Sequence, residues 1–202
     1  GPTHHGVFDI AFMSTLPGLI VTAPKDGNEL RNLLATGLQS GKNLSIRYPK
    51  SSSRTFDENA TPEILEIGKW ETLINGEIVA ILAVGSMVGM IEDSIYEIKN
   101  ALGFSPTLIN ARFIKPLDDS LLKNLCSNHS IIMTVEEGIL QGGFGSAVSN
   151  FLHDCGFNNK VIRLGIPDKF VEHGTRNELL EDVGLTSENI ISLLHSEVKV
   201  HE

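Results

Sequence analysis

Cysteine is scarce in this 202-residue sequence, which contains Cys126 and Cys155 and no others. Two cysteines cannot form the disulfide framework that small secreted domains use in place of a large core. Both lie in apolar, helix-like sequence, so we expect them to be reduced thiols buried in the core. This usage favours a reducing compartment.

Basic residues and long apolar runs are also scarce. The 16 Lys and Arg residues are outnumbered by 25 Asp and Glu residues, which gives a formal net charge of −9. Because nucleic-acid binding requires a basic surface, this charge argues against it. No apolar run approaches the roughly 20 residues of a membrane-spanning helix, and residues 1–9 lack the features of a signal peptide. The sequence has no initiator Met, so we expect it to begin inside a longer translation product.

Hydrophobic residues make up 41% of the sequence, and they form short apolar strands that alternate with amphipathic stretches. Strands are predicted at 19–23, 44–48, 78–84, 107–111, 131–135 and 161–164. Helices are predicted at 26–39, where Asp26 with Glu29 forms a capping-box pattern at the start, and at 87–102, 120–126, 145–155, 176–183 and 187–198. Residues 7–13 are predicted to be a short helix or a turn. This alternation predicts an α/β fold with a largely parallel sheet that helices cover on both faces.

A polar, turn-rich stretch at 51–63 divides the sequence into two parts. We interpret it as a linker. Residues 64–202 hold enough strands and helices for a complete α/β domain. Residues 1–50 hold only two strands and one long helix, which cannot bury a sheet alone, so we expect them to complete a domain that begins upstream. The apolar face of that helix is expected to comprise Leu30, Leu33, Leu34 and Leu38.

Charged residues follow several of the predicted strands, namely Arg112 and Lys115, then Glu136 and Glu137, and finally Asp168. In a parallel α/β sheet, ligands bind where the carboxyl ends of the strands meet, so these residues are candidates for a ligand site. The same residues could instead form ion pairs that close a domain interface. The sequence leaves both interpretations open.

A glycine-rich stretch at 142–145 (Gly-Gly-Phe-Gly) precedes the predicted helix 145–155. Its backbone N–H groups could bind an anion at the start of that helix. It lacks the Lys of a phosphate-binding Walker loop and the spacing of a dinucleotide-binding fingerprint. The alternative is a tight turn that lets the helix approach its neighbours closely.

The seven histidines of the sequence show no metal-ligand spacing. His4 and His5 differ from the others because Gly1, Pro2 and Gly6 surround them. An imidazole held in such a turn is suited to proton transfer or to hydrogen bonding with a substrate oxygen. Two other interpretations remain open at this point: His4 only supports the turn, or these residues are remnants of an affinity tag.

Short blocks along the whole chain carry a resemblance to a known family. They are residues 1–9 (Gly-Pro-Thr-His-His-Gly-Val-Phe-Asp), 23–30 (Ala-Pro-Lys-Asp-Gly-Asn-Glu-Leu), 47–50 (Arg-Tyr-Pro-Lys), 112–118 (Arg-Phe-Ile-Lys-Pro-Leu-Asp), 134–138 with 142–146 (Thr-Val-Glu-Glu-Gly and Gly-Gly-Phe-Gly-Ser) and 164–168 (Leu-Gly-Ile-Pro-Asp). In content and order they resemble the 1-deoxy-D-xylulose-5-phosphate synthases, thiamine-diphosphate enzymes of the transketolase superfamily. The resemblance places Gly1 inside a native motif, which argues against a tag.

The resemblance implies a fold, an activity and a set of partners. The fold would be the tail of a thiamine-diphosphate pyrimidine-binding domain followed by a transketolase C-terminal domain. The activity would be that of a transferase that condenses pyruvate with D-glyceraldehyde 3-phosphate, with loss of CO2, to 1-deoxy-D-xylulose 5-phosphate for isoprenoid precursor and thiamine biosynthesis. Thiamine diphosphate and Mg²⁺ would be the cofactors, and a homodimer would be the assembly, in the bacterial cytoplasm or in a plastid.

The resemblance also implies roles for two residues. His4 matches the histidine that faces the bound thiamine adduct and the substrate, so we expect it to be catalytic. Lys50 matches the basic residue that helps to hold the phosphate of the aldehyde. An Arg is expected at that position, and Lys keeps the positive charge but loses the bidentate geometry. No catalytic role is implied for His5, because this position is Gln in some members.

Most of the cofactor site is expected to lie before Gly1. In this family the glutamate that activates the aminopyrimidine, the pyrophosphate-binding domain and the Mg²⁺ ligands all precede the Gly-Pro-Thr-His block. We therefore expect no complete cofactor site in this chain and no activity from it without the N-terminal remainder. Two alternatives remain: a β subunit of a 2-oxo-acid dehydrogenase, and a C-terminal domain that serves only for docking and dimerisation.

Overall fold

Helices and strands alternate along the chain in the computed structural model, which describes residues 4–198. The first part contains α1 (Asp9–Ser14), β1 (Ile20–Thr22), α2 (Gly27–Ser40) and β2 (Leu44–Ile46). The larger part contains β3 (Glu71–Ile74), β4 (Ile78–Ala83), α3 (Met87–Asp93), α4 (Ile95–Leu102), β5 (Thr107–Asn110), β6 (Phe113–Lys115), α5 (Asp119–Asn128), β7 (His129–Ile139), α6 (Phe144–Asp154), β8 (Lys160–Ile166), α7 (Arg176–Asp182) and α8 (Ser187–Val198). Gly1, Pro2 and Thr3 of the predicted His4 turn lie outside the described residues.

A five-stranded sheet forms the centre of the larger part, with strand order β3-β5-β4-β7-β8. β4 pairs in parallel with β5 and β7, β7 pairs in parallel with β8, and the edge strand β3 is antiparallel to β5. Residues 79–83 of β4 are completely buried, which explains why this strand is a continuous apolar run. The predicted α/β fold with a largely parallel, helix-covered sheet is therefore confirmed.

The two faces of this sheet pack into two separate cores, because successive side chains of a strand point to opposite faces. Ala80 and Leu82 face the first core, which also contains residues of α2, α5 and α6. Val79 and Ile81 face the second core, together with residues of α3, α4 and α8. Over residues 4–198, every helix is too short or too polar to span a membrane.

A second sheet joins the two parts of the chain. Its strand order is β2-β1-β6, in which β1 pairs in parallel with β2 and antiparallel with β6 of the larger part. Ile10 of α1 and Val21 of β1 share the first core with Trp70 and Phe144. With β6 paired to β1, the larger part of the chain covers this edge of the small sheet, which residues 1–50 cannot bury by themselves.

Residues 51–63, predicted to be a linker, contain no regular helix or strand. They are nevertheless attached to both parts of the chain. Arg31 of α2 donates a hydrogen bond from Nη1 to the carbonyl oxygen of Asp57 at 2.6 Å. Arg54 forms an ion pair with Asp93 of α3. This stretch therefore runs against α2 and reaches the larger part.

Expectations for three side chains are wrong. Cys126 is buried as predicted, and burial raises the pKa of its thiol to about 11. Cys155 is exposed, and it lies at the C-cap of α6, just beyond the last residue of the helix. On α2, Leu33 is fully buried, whereas Leu34 and Leu38 are 54% and 78% exposed. Within residues 4–198 the chain covers only a narrow strip of this helix, so its buried face is smaller than predicted.

Three further features differ from the sequence prediction. Strands β3 and β6 were not predicted, and the predicted helix 87–102 is broken. The two strands have four and three residues, and each includes a charged residue, Glu71 or Lys115, so the sequence shows no apolar strand pattern there. The helix is divided into α3 and α4 at Ser94. The hydroxyl of Ser94 donates to the carbonyl oxygen of Met90 at 3.0 Å, a local contact that often bends helices.

Candidate functional site

His4 and Lys50, the two site residues that the resemblance implies, line the same cleft, which has a volume of about 500 Å³. His4 lies in the turn before α1, and Lys50 lies shortly after β2. Both residues are exposed. Another wall of the cleft is formed by the loop after β8 and by α7. The structure thus brings the two residues to one cleft, and their chemical roles stay a prediction.

The His4 segment (residues 4–9) is held against β7. The N–H of Ile139 donates to the carbonyl oxygen of Val7 at 2.8 Å. Asp9 ends the segment, and its carboxylate lies 3.5 Å from Nε of Arg47. Burial raises the pKa of Asp9, although the charge of Arg47 acts to lower it. The Val7 contact fixes the segment to the larger part of the chain, and the Asp9 contact ties it to Arg47, which follows β2.

A set of polar side chains at the cleft, termed the interface cluster, comprises Asp9, Arg47, Ser86, Glu137 and Arg176, and all of them except Ser86 line the cleft. Arg176 donates from Nη2 and Nε to the two carboxylate oxygens of Glu137 at 2.6 and 2.9 Å, and Ser86 Oγ donates to the same carboxylate at 2.9 Å. Nη1 of Arg47 lies 3.8 Å from it. Burial acts to raise the pKa of Glu137, but the hydrogen bonds from Arg176 and the charge of Arg47 hold it below its ordinary value.

Glu136 has a different environment on the opposite face of β7. The strand extends to Ile139, so both glutamates lie within it and not after it as predicted. Glu136 is fully buried, and its two carboxylate oxygens accept hydrogen bonds from the N–H groups of Phe144 and Gly145, each at 2.8 Å. Burial raises the pKa of Glu136 to about 7, although these hydrogen bonds act to lower it. The chain's own carboxylate therefore occupies the candidate anion site at this helix N-terminus.

The glycine-rich stretch makes this close approach possible. A Cβ added to Gly143 would lie 2.3 Å from the carbonyl oxygen of Ile139, and one added to Gly145 would lie 2.6 Å from Oγ1 of Thr134. Neither position has room for a side chain in so densely packed an interior. The structure supports the tight-turn interpretation of residues 142–145.

Arg112 and Lys115 join the two parts of the chain. Nη1 of Arg112 lies 3.3 Å from the carboxylate of Glu29 in α2. Nζ of Lys115 donates to the carbonyl oxygen of Ser14 in α1 at 2.9 Å. These contacts support the interface interpretation of the charged residues over the ligand-site interpretation. Asp168 is exposed in the loop after β8.

Sequence reasoning missed Arg47 and Arg176 as partners of Glu137. Arg47 belongs to the Arg-Tyr-Pro-Lys block but had no role assigned to it. Arg176 is the first residue of α7, where the helix dipole makes a positive charge unfavourable. That placement is the one signal in the sequence that a carboxylate partner is required.

The described residues do not by themselves fit thiamine diphosphate and Mg²⁺, the cofactors that the resemblance implies. Within residues 4–198, no group of three or more His, Cys, Asp or Glu side chains is arranged to hold a metal. Mg²⁺ prefers oxygen ligands, but the carboxylates in the cleft face cations of the chain itself: Asp9 faces Arg47, and Glu137 accepts hydrogen bonds from Arg176. We therefore assign no metal ligand among residues 4–198.

Two family models match the chain. The pyrimidine binding domain of transketolase matches residues 1–55, and the C-terminal domain of transketolase matches residues 68–190. The chain therefore belongs to the transketolase family. The domain boundaries expected from the sequence, 1–50 and 64–202 on either side of a linker, stay a prediction.

Within this family, the chain is similar to 1-deoxy-D-xylulose-5-phosphate synthases. It is 44% identical to the synthase of Shouchella clausii over 97% of this chain, and 40% identical to that of Aquifex aeolicus over 98%. In both cases the chain spans 31% of the length of the relative. The resemblance found in the sequence blocks is confirmed.

Solved structures agree with the fold. One described as "Split gene transketolase, inactive beta4 tetramer" matches 98% of this chain and 63% of its own, with a TM-score of 0.85 and 26% sequence identity. Transketolase from Campylobacter jejuni matches 97% of this chain and 29% of its own, with a TM-score of 0.67. At 20% identity, the second match concerns the fold alone.

The close approach at Gly143 predicts a stability effect. Gly143→Ala should lower the free energy of unfolding by about 1–3 kcal/mol, because the new methyl group meets a backbone oxygen that cannot move cheaply. Gly37→Ala in α2 is the matched control: its Cβ would meet Leu44 at 3.4 Å, an ordinary contact, and alanine favours the helix by up to about 1 kcal/mol. Urea unfolding of both variants measures the difference, and equal stability would contradict the packing argument.

Proposed function

We propose that the chain is the C-terminal part of a 1-deoxy-D-xylulose-5-phosphate synthase, a thiamine-diphosphate-dependent transferase. The observation that carries this proposal is the identity of 40–44% to such synthases along nearly the whole chain. The cleft adds support, because it presents the imidazole of His4 and the ammonium group of Lys50 to a common space. Such a pair of groups suits a substrate that has a reacting carbonyl oxygen and a phosphate.

The proposed reaction condenses pyruvate with D-glyceraldehyde 3-phosphate and releases CO2. Thiamine diphosphate, when bound, supplies the carbanion chemistry. The imidazole of His4 hydrogen-bonds the aldehyde oxygen and delivers a proton to it as that oxygen becomes a hydroxyl group. The ammonium group of Lys50 binds the phosphate, so the aldehyde carbon is presented in one orientation.

The proposal extends to partners that lie outside this chain. Residues that precede the matching segment in the synthases would supply the remainder of the cofactor site, including the ligands of Mg²⁺. Two copies of the protein would form a homodimer, in the bacterial cytoplasm or in a plastid. The product would serve isoprenoid precursor and thiamine biosynthesis.

The docking alternative has structural support as an additional role. The pairing of β1 with β6 and the ion pair of Arg112 with Glu29 attach the larger part to residues 1–50. These contacts are compatible with the synthase proposal and do not compete with it. The similarity to the synthases argues against the other alternative, a 2-oxo-acid dehydrogenase β subunit.

The 202-residue chain alone is expected to give no thiamine-dependent turnover of pyruvate, because its described residues provide no complete cofactor site. The related split gene transketolase, described as an inactive beta4 tetramer, is consistent with this expectation. Formation of 1-deoxy-D-xylulose 5-phosphate is measured with both substrates, thiamine diphosphate and Mg²⁺. Product from the chain alone would contradict this prediction, and a full-length protein without product would contradict the proposed function.

Replacement of Lys50 should affect one substrate more than the other. Lys50→Ala in the full-length protein should raise the KM for D-glyceraldehyde 3-phosphate roughly ten- to hundred-fold, because one hydrogen bond to a charged group is lost. The KM for pyruvate should stay nearly unchanged, because pyruvate has no phosphate. Lys42→Ala, an exposed lysine that does not line the cleft, is the matched control. Steady-state kinetics decide the matter, since equal increases for both substrates would assign Lys50 a structural role.

Replacement of His4 should affect the rate. His4→Ala in the full-length protein should lower kcat/KM by about 10²–10⁴-fold, the usual contribution of a positioned acid or base, with the fold and thiamine affinity nearly unchanged. His153→Ala, at an exposed position on α6, is the control. Kinetics are measured beside a thermal melt and a thiamine diphosphate titration. Losses of stability or thiamine binding that match the loss of rate would show that His4 only supports its turn.

A further inference from the structure

Arg47 lies between the two predicted site residues in the chain and lines the same cleft. It begins the Lys50 segment (residues 47–50), and its side chain is only 10% exposed. Its Nε lies 3.5 Å from the carboxylate of Asp9, and its Nη2 donates to the carbonyl oxygen of Gly6 at 3.5 Å. One guanidinium group therefore contacts the His4 segment at two points.

The same guanidinium group contacts the larger part of the chain. Nη2 of Arg47 donates to the backbone carbonyl oxygen of Glu137 at 2.6 Å. The Glu137 carboxylate is itself held by Arg176 and by Ser86, so it cannot follow a movement of Arg47 without breaking those bonds. The anchor for Arg47 is thus rigid and belongs to β7 of the central sheet.

The Lys50 segment has few other anchors close to the lysine. The N–H of Arg47 donates to the carbonyl oxygen of Thr22 at 2.8 Å, which ends the pairing with β1. Beyond it the backbone has no regular structure, and the Tyr48 side chain is 61% exposed. Pro49 restricts the backbone of the residue before it but provides no hydrogen-bond donor. The buried Arg47 side chain is therefore the main link between this segment and the core.

Only arginine suits this arrangement. Its acceptors belong to Gly6, Asp9 and Glu137, which come from different parts of the chain, and a planar group with five donors can address all of them at once. A lysine would keep the charge but offers a single nitrogen. Because buried charges must be paired, a shift that separates Arg47 from Asp9 or from the carbonyl oxygen of Glu137 leaves a largely buried donor or acceptor unsatisfied.

We propose that Arg47 is a positioning residue: together with Glu137 and Arg176, it holds the His4 and Lys50 segments at a fixed separation and thereby sets the preference for a phosphorylated aldehyde. The preference rests on the proposed function, whereas the positioning itself does not. Arg47 touches no reacting atom in this scheme. It acts through Lys50, and the larger part of the chain contributes through the carboxylate of Glu137.

The test uses two conservative variants of the full-length protein, Arg47→Lys and Glu137→Gln, which keep the size of the side chain. Arg54→Lys is the matched control, because Arg54 also joins two parts of the chain through a carboxylate but is 45% exposed and lies away from the cleft. The first measurement compares kcat/KM for D-glyceraldehyde 3-phosphate with that for D-glyceraldehyde, which has no phosphate. Both variants should lower this ratio roughly ten-fold and the control should leave it unchanged.

The second measurement is hydrogen exchange of backbone amides in the absence of substrate. Both variants should accelerate exchange in peptides that cover residues 4–9 and 47–50, and leave α5 at the parent rate, whereas a general loss of stability would accelerate exchange everywhere. Unchanged exchange, or acceleration throughout the chain, would overturn the positioning role. Accelerated exchange with an unchanged ratio would overturn the effect on substrate preference. A parent protein inactive with both aldehydes would overturn the proposed function, and exchange would still decide the positioning role.

Discussion

The pairing of strand β1 with strand β6 satisfies backbone hydrogen-bonding groups at a buried edge of β1. Without β6 these groups would be unpaired, and unpaired backbone groups are costly to bury. β6 provides the partners, and beyond the strand the N–H of Ala23 continues the contact to the carbonyl oxygen of Arg112 at 3.0 Å. Ile10 and Val21 are buried in the core that this pairing completes. The rest of the structure depends on it, because it determines which end of the large sheet meets the His4 segment.

Successive side chains of a strand point to opposite faces of the sheet, which explains why two neighbouring glutamates have different environments. Glu136 and Glu137 point to opposite faces of β7, so one meets the first turn of α6 and the other meets Arg47 and Arg176. Burial raises the pKa of Glu136, and its two N–H donors and the more distant charges of Arg163 and Arg47 do not offset this, whereas the direct hydrogen bonds from Arg176 and the charge of Arg47 hold the pKa of Glu137 below its ordinary value. The difference comes from the neighbours of each carboxylate, since the residue type and the strand are the same.

The sequence predicted those elements whose signal is local. The apolar run of β4 and the capping pattern of Asp26 with Glu29, which the structure reproduces at 2.8 Å, can be found within a few residues. β6 has no such signal, because what makes it a strand is its pairing with β1, far away in the chain. The contact of Arg47 with Glu137 is equally non-local, so no period or cap could indicate it. His4 and Lys50 were identified by resemblance, and their common cleft emerged only from the fold.

The position of the cleft explains why a buried ion-pair network lies beside it. His4 and Lys50 are both carried by turns, and turns have no ladder of hydrogen bonds to hold them in place. A displacement of about 1 Å can cost on the order of 100-fold in rate, so two turns that act on one substrate must be fixed relative to each other. A buried charge cluster contributes little net stability, but separating its members leaves a buried charge unpaired, which is the basis of the positioning role proposed for Arg47. On the proposed function, the larger part of the chain therefore serves the reaction by geometry, through Glu137 and Arg176, while the groups that meet the substrate belong to residues 1–50.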